Sequence, residues 1–118
     1  MHRSILAGMI PLLLLLAIGE AKAHAFLDHA EPRVGNTVAT APREVTLWFT
    51  QKLEPAFCTI TVTDSAGQRI DTGKVRVGGN QMSVALRPGG SGTYHVTWRV
   101  LSVDTHTTDG SFSFQVGK

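Results

Sequence analysis

The sequence has little from which a disulfide, a thiolate cluster or a strongly charged surface could be built. Its 118 residues include a single cysteine, Cys58, so no disulfide can form within one chain. A lone thiol also excludes the multi-cysteine zinc and iron–sulfur sites. The formal net charge is only +2, without a run of like charges, which gives no electrostatic basis for binding nucleic acid. The fold must therefore rest on its apolar core.

A long apolar run occurs only near the start of the chain. Arg3 precedes a mainly apolar stretch over residues 5–18, and the small-residue box Ala21-Lys22-Ala23 follows it. This order is the three-part pattern of a cleaved secretory signal. We therefore expect residues 1–23 to be a signal peptide and residues 24–118 to form one mature domain outside the cytoplasm. The alternative is an uncleaved anchor, for which the run is short. Nothing later in the chain is apolar enough to enter a membrane.

The mature chain alternates between apolar and polar residues in several short windows, and no window has a convincing helical period. Such alternation predicts β-strands with one buried face. Five strands are predicted, with these inward residues: Val45, Leu47 and Phe49; Cys58, Ile60 and Val62; Met82, Val84 and Leu86; Tyr94, Val96, Trp98 and Val100; Phe112, Phe114 and Val116. Turn-forming residues at 64–67, 78–80 and 87–92 separate them. The sequence therefore predicts an all-β domain, either an immunoglobulin-like sandwich or a closed barrel.

Histidine is the residue type that points to chemistry. Cleavage after Ala23 makes His24 the first residue, which then offers both an α-amine and an imidazole nitrogen. Asp104 and His106 lie two residues apart, just past the longest predicted strand. In extended backbone, two such side chains point to the same side and could face one ion. Nitrogen donors with a carboxylate oxygen suit Cu(II) or Ni(II), and can serve Zn(II).

The remaining notable side chains have simpler explanations. His29 and His95 are expected to be surface residues. Cys58 is expected to be a small core residue. Trp48 and Trp98 are expected to be core aromatics.

Four blocks of the mature chain carry a family resemblance, and they occur in order. They are His24-Ala25-x-Leu27 with Pro32 and Gly35 after it, Ala41-Pro42-x-x-Val45-x-Leu47-x-Phe49, Gly92-Thr93-Tyr94-x-Val96-x-Trp98-Arg99-Val100-x-Ser102-x-Asp104-x-His106, and Gly110-Ser111-Phe112-Ser113-Phe114-x-Val116. Through these blocks the chain resembles the CopC family of periplasmic copper-binding proteins. The resemblance covers nearly all of the mature chain. It implies a Greek-key β-barrel or cupredoxin-like sandwich of about seven strands.

The resemblance also implies a metal site. In the family pattern, one Cu(II) per chain is held by the amine and imidazole of His24 and by the His106 imidazole, an arrangement called a histidine brace, with Asp104 as a further ligand. The implied role is to carry or buffer copper in the periplasm for homeostasis or resistance. The implied partner is a membrane copper importer of the CopD type.

The sequence departs from the family pattern at three points. Met82 is the only methionine of the mature chain, so the thioether cluster with which some members bind Cu(I) is not available. Thr105 stands where the family usually has glycine, which puts the local turn in question. His29 stands where serine is common.

Two other functions stay open at the level of sequence. A histidine brace also serves copper oxygenases, although this chain is short, its aromatics fall mostly on inward positions, and a carboxylate ligand takes a position that oxygen needs. A metal-free sandwich that binds another protein is compatible with the fold alone. We expect a binding protein rather than an enzyme.

Overall fold

The structure is a computed structural model that describes residues 25–117. The described chain forms eight strands and a single 3-10 turn at Pro55–Phe57. The strands are β1 (Leu27–Glu31), β2 (Thr37–Val38), β3 (Glu44–Phe49), β4 (Thr59–Thr63), β5 (Asp71–Gly78), β6 (Gln81–Leu86), β7 (Gly92–Leu101) and β8 (Thr107–Val116). Within these residues no helix is long and apolar enough to cross a membrane.

The eight strands form two sheets of four. One sheet has the order β1-β3-β6-β5 and the other the order β2-β8-β7-β4. All neighbours are antiparallel except β2, which pairs in parallel with the end of β8. The predicted all-β sandwich is thus confirmed, with eight strands rather than seven. The boundary between a signal peptide and the mature domain lies outside the described residues.

The core fills the space between the two sheets. All five strands predicted from alternation are present, and their inward residues are buried except Leu86 and Phe112, which are half-buried. The Phe49 and Trp98 rings pack in a T-shaped arrangement, with ring centroids 5.0 Å apart and planes at 73°. The hydroxyl of the buried Tyr94 donates to the Gly90 carbonyl at 2.7 Å, which satisfies its one polar group and ties down the loop before β7.

One aromatic residue was predicted wrongly. Trp48 is half-buried rather than a core residue. Its indole stacks on the exposed His29 imidazole, with ring centroids 4.3 Å apart and planes 7° from parallel. The two residues face each other across β3 and the edge strand β1, outside the packed interior.

A buried carboxylate joins the two sheets where the edge strands β4 and β5 meet. Asp71 is almost fully buried, and its oxygens accept hydrogen bonds from the Val62 N–H at 2.8 Å, the Gly73 N–H at 2.9 Å and the Arg69 guanidinium at 3.0 Å. Burial alone would raise the pKa of Asp71, but the hydrogen bonds from Arg69 and the two backbone N–H groups outweigh it and hold the pKa below its usual range. Asp71 is therefore ionised at neutral pH and holds β4 against β5.

We expect Asp71→Ala to lower the free energy of unfolding by about 2–4 kcal/mol at pH 7, because it leaves the buried Val62 N–H without its acceptor and breaks the bonds to Gly73 and Arg69. Arg69→Gln is the matched control and should lower the free energy of unfolding much less, since the Arg69 side chain is largely exposed. Urea unfolding of the three proteins gives both differences. Because the folded pKa is depressed, the contribution of Asp71 is complete above the unfolded pKa of about 3.9 and is lost as pH falls through the lower folded value. A difference between wild type and Asp71→Ala that stays constant down to about pH 2 would contradict this assignment.

Candidate metal site

Asp104 and His106 lie in the turn that joins the two longest strands. The last residue pair of the β7–β8 ladder is Leu101 with Thr107, so residues 102–106 make the connection. Two backbone hydrogen bonds close this turn: the Ser102 N–H donates to the His106 carbonyl at 3.0 Å, and the Thr105 N–H donates to the Ser102 carbonyl at 2.9 Å. Both candidate ligands are therefore held at one end of the sandwich by the ladder beneath them.

The two side chains meet above the turn. Asp104 Oδ1 lies 3.4 Å from His106 Nδ1, and the side chains are 40% and 45% exposed. Asp104 Oδ1 also accepts a short hydrogen bond from the Ser102 hydroxyl. This bond first, and the neighbouring His106 after it, hold the pKa of Asp104 below its usual range. A carboxylate that stays ionised and an imidazole at this distance, both open to solvent, are donor types that suit Cu(II) or Ni(II) and can serve Zn(II).

The expectation that extended backbone would direct the Asp104 and His106 side chains to the same side is wrong. The backbone between Asp104 and His106 is not extended, because Thr105 has φ +73° and lies in the left-handed region. That conformation turns the chain within one residue and favours glycine, the residue that the family usually has here. The threonine is accommodated in this conformation, so the turn forms despite the substitution.

The third predicted ligand, His24, lies outside the described residues, but the residue that follows it is firmly placed. Ala25 is fully buried, and its carbonyl accepts a hydrogen bond from the Thr108 hydroxyl at 2.7 Å. Phe26 exchanges two bonds with Thr50, through the Thr50 hydroxyl at 3.0 Å and the Thr50 N–H at 2.9 Å. Thr108 is two residues from His106, so the first described residue, Ala25, is fixed near the Asp104–His106 turn.

Sequence reasoning missed these two anchoring threonines. Thr108 and Ala25 are 83 residues apart, and Thr50 and Phe26 are 24 apart. A hydroxyl that bonds a distant backbone group leaves no local pattern. The sequence could have suggested them only indirectly, because an N-terminal residue that binds a metal must be anchored near the other ligands.

The other candidate side chains, His29, His95 and Cys58, each have contacts of their own. His29 Nδ1 lies 2.7 Å from Asp28 Oδ2 besides stacking on Trp48. His95 is exposed, as predicted, with Nδ1 2.9 Å from the Ser113 hydroxyl. Cys58 is buried, as predicted, and donates to the Glu54 carbonyl at 3.2 Å; burial raises the pKa of its thiol. Over residues 25–117 no group of three or more His, Cys, Asp or Glu side chains could hold a metal ion.

Exposed apolar side chains lie beside the turn. Val103 directly precedes Asp104 and is 49% exposed, and Phe26 is 54% exposed. Both are attached to one segment of chain, because Phe26 bonds Thr50 and the Val103 N–H donates to the Lys52 carbonyl at 3.0 Å. The polar donors therefore lie at an end of the sandwich that also presents apolar surface.

Comparison with known proteins settles the family. The protein-family model described as the CopC domain matches residues 27–117. The chain belongs to the CopC family. This confirms the resemblance stated from the four sequence blocks and brings the chain into a family of copper resistance and transport proteins.

Individual proteins of this family are similar to the chain over most of its length. The CopC-family chain is 34% identical to the copper resistance protein C of Xanthomonas campestris pv. juglandis, over 97% of this chain and 96% of that protein. The crystal structure of CopC from Methylosinus trichosporium OB3b has a TM-score of 0.70 and 32% identity, covering 79% of this chain and 93% of that one. PcoC of Escherichia coli, titled a methionine-rich copper resistance protein, has a TM-score of 0.66 and 30% identity, covering 79% and 98%. None of these three carries the name of an enzyme.

The left-handed Thr105 gives a stability prediction for this CopC-family chain. Thr105→Gly should raise the free energy of unfolding by about 0.5–1 kcal/mol, because relief of about 1–2 kcal/mol of backbone strain exceeds the extra freedom of glycine in the unfolded chain. Thr107→Gly, at an exposed position with ordinary strand backbone, is the control and should destabilise by about 0.5–1 kcal/mol. Urea unfolding measures both. Equal destabilisation by the two glycines would show that Thr105 is not strained.

Proposed function

We propose that this chain is a periplasmic Cu(II)-binding protein that carries or buffers copper, and that its site is completed when residues 1–23 are removed. The observation that carries the proposal is the meeting of three features at one end of the sandwich. Asp104 and His106 lie 3.4 Å apart there, and the buried Ala25 is hydrogen-bonded to Thr108 beside them. The residue before Ala25 is His24, the predicted first residue of the mature chain.

The proposed donor set suits copper in its higher oxidation state. The His24 amine and imidazole, the His106 imidazole and the Asp104 carboxylate give three nitrogens and one oxygen, which favour tetragonal Cu(II) over soft Cu(I). Over the described residues, the sulfur groups Cys58 and Met82 are both buried in the core. Neither of them faces solvent as a Cu(I) ligand would need to. One Cu(II) per chain follows from a single such set.

Cleavage acts as the step that creates the site. In the precursor, the His24 nitrogen belongs to a peptide bond and is a poor donor. Removal of residues 1–23 turns it into an α-amine, a type of group whose reference pKa in peptides is about 7.7–8.0, so that a metal can compete with the proton near neutral pH. The precursor would therefore pass through the cytoplasm without a complete site, and the protein would gain copper only after export.

Binding and transfer, rather than catalysis, suit this site. A carboxylate ligand occupies a position that an oxygen-activating centre needs, and two of the relatives named above are called copper resistance proteins. The proposed partner is a membrane copper importer of the CopD type. Exposed Phe26 and Val103 beside the ligands suit such a transfer, because apolar contacts around the site would exclude water while the ion moves between two ligand sets.

The first test compares two preparations, the protein that begins at His24 and a form with one extra residue before it, which converts the amine into an amide. We expect the mature form to bind one Cu(II) and the extended form to bind at least about 100-fold more weakly, because even a group that only supports a ligand typically contributes 10–100-fold. Tryptophan quenching gives the affinity, and electron paramagnetic resonance gives the number of nitrogen ligands. Equal binding by the two forms would exclude the amine, and no binding by either would leave a metal-free interaction module.

The second test distinguishes His106, the proposed ligand, from His29 and His95. His106→Ala in the mature protein should weaken Cu(II) binding by more than about 100-fold. His29→Ala and His95→Ala are the matched controls and should bind within about twofold of wild type. Their contacts lie elsewhere: His29 contacts Asp28 and Trp48, and His95 contacts Ser113. A loss in either control as large as that of His106→Ala would move the site away from the β7–β8 turn.

A further inference from the structure

Ser102 is a polar residue buried at the base of the metal-site turn. It is 0% exposed, directly after the last residue of β7, and its backbone forms a bridge with Leu53. A hydroxyl in such a place must have partners within the protein, because water does not reach it. Its partners are therefore informative about what the residue does.

The Ser102 hydroxyl contacts both candidate ligands. Oγ lies within hydrogen-bond distance of Asp104 Oδ1, 3.2 Å from the His106 carbonyl and 3.4 Å from the His106 nitrogen. A hydroxyl has one proton to donate, and the charged carboxylate is its stronger and nearer acceptor. Ser102 thus donates to Asp104 while its lone pairs face the His106 N–H, so one buried atom holds the two ligands together.

The two backbone hydrogen bonds that close the turn do not involve this hydroxyl. The bonds from the Ser102 N–H to the His106 carbonyl and from the Thr105 N–H to the Ser102 carbonyl close the turn without it. Removing the hydroxyl therefore leaves those backbone bonds in place. The loss falls on the His106 N–H and on the Asp104 carboxylate, which is exposed and has several rotamers available to it.

We propose that Ser102 is a positioning residue for copper, which rests on the proposed function of Asp104 as a ligand. Its hydroxyl engages Oδ1 and fixes the carboxylate in one orientation beside the His106 imidazole. The ion then meets an oriented oxygen and does not have to order a mobile side chain, which is how partners of ligands strengthen metal sites.

The test is Cu(II) titration and electron paramagnetic resonance of mature Ser102→Ala. We expect affinity to fall by about 10–100-fold, with a changed copper spectrum because the oxygen ligand is displaced. Ser113→Ala is the matched control: it removes another serine hydroxyl that contacts a histidine, His95, on the same hairpin. It should leave affinity and spectrum unchanged. Ser102→Ala with wild-type affinity and spectrum would overturn the proposal.

Combination with Asp104→Ala distinguishes positioning from general stability. If Ser102 acts through Asp104, then adding Ser102→Ala to Asp104→Ala should cause no further loss of affinity. A further loss equal to that in the wild-type background would overturn the proposal. If wild-type mature protein binds no Cu(II), the proposed function itself fails, which is a different result from a silent Ser102→Ala.

The isosteric pair Ser102→Thr and Ser102→Val keeps the test valid if alanine at this position does not fold. Threonine retains the hydroxyl and valine replaces it with a methyl group of similar size. We expect threonine to keep affinity within about threefold of wild type and valine to show the loss of about 10–100-fold. Equal affinity of the two would overturn the proposal.

Discussion

The continuous ladder between β7 and β8 is the interaction on which the rest of this structure depends. It pairs every residue from Gly92 opposite Val116 to Leu101 opposite Thr107. The same ladder sends Tyr94 and Trp98 into the core and ends where the turn with Asp104 and His106 begins. Because side chains alternate strictly, a slip of one residue would expose the core face and move the turn at the same time. Core and site are therefore specified together by one hairpin.

The central strands could be predicted from sequence because each buries one face against the opposite sheet. β3, β6 and β7 show this as clear alternation, and the packing that causes it is local to the strand. The edge strands β1 and β5 could not be predicted. β1 buries only Ala30, and β5 buries only Asp71. Both form strands because they pair with a neighbouring strand, so their own sequences lack the alternation of apolar and polar residues that would predict a strand.

The site was partly predictable for a similar reason. Asp104 and His106 are close in sequence, so their proximity could be expected, although the left-handed Thr105 brings it about rather than extended backbone. The anchoring of Ala25 by Thr108 could not be expected, because it joins opposite ends of the chain. The buried contact of Ser102 with Asp104 was also invisible, since a serine two residues before an aspartate is common and only burial gives it meaning.

The arrangement separates folding from metal binding, which is what a copper carrier requires. From Ala25 onward, the described chain is held by the packed core, the Asp71 junction between the sheets and the threonine anchors, none of which needs an ion. In small zinc domains, by contrast, metal binding supplies the folding free energy, so release of the metal unfolds the chain. Here the two proposed ligands that the structure describes, Asp104 and His106, lie on an exposed turn outside the core. On the proposed function, copper would be taken up and released without unfolding, and its affinity would be set by the orientation of a few surface groups.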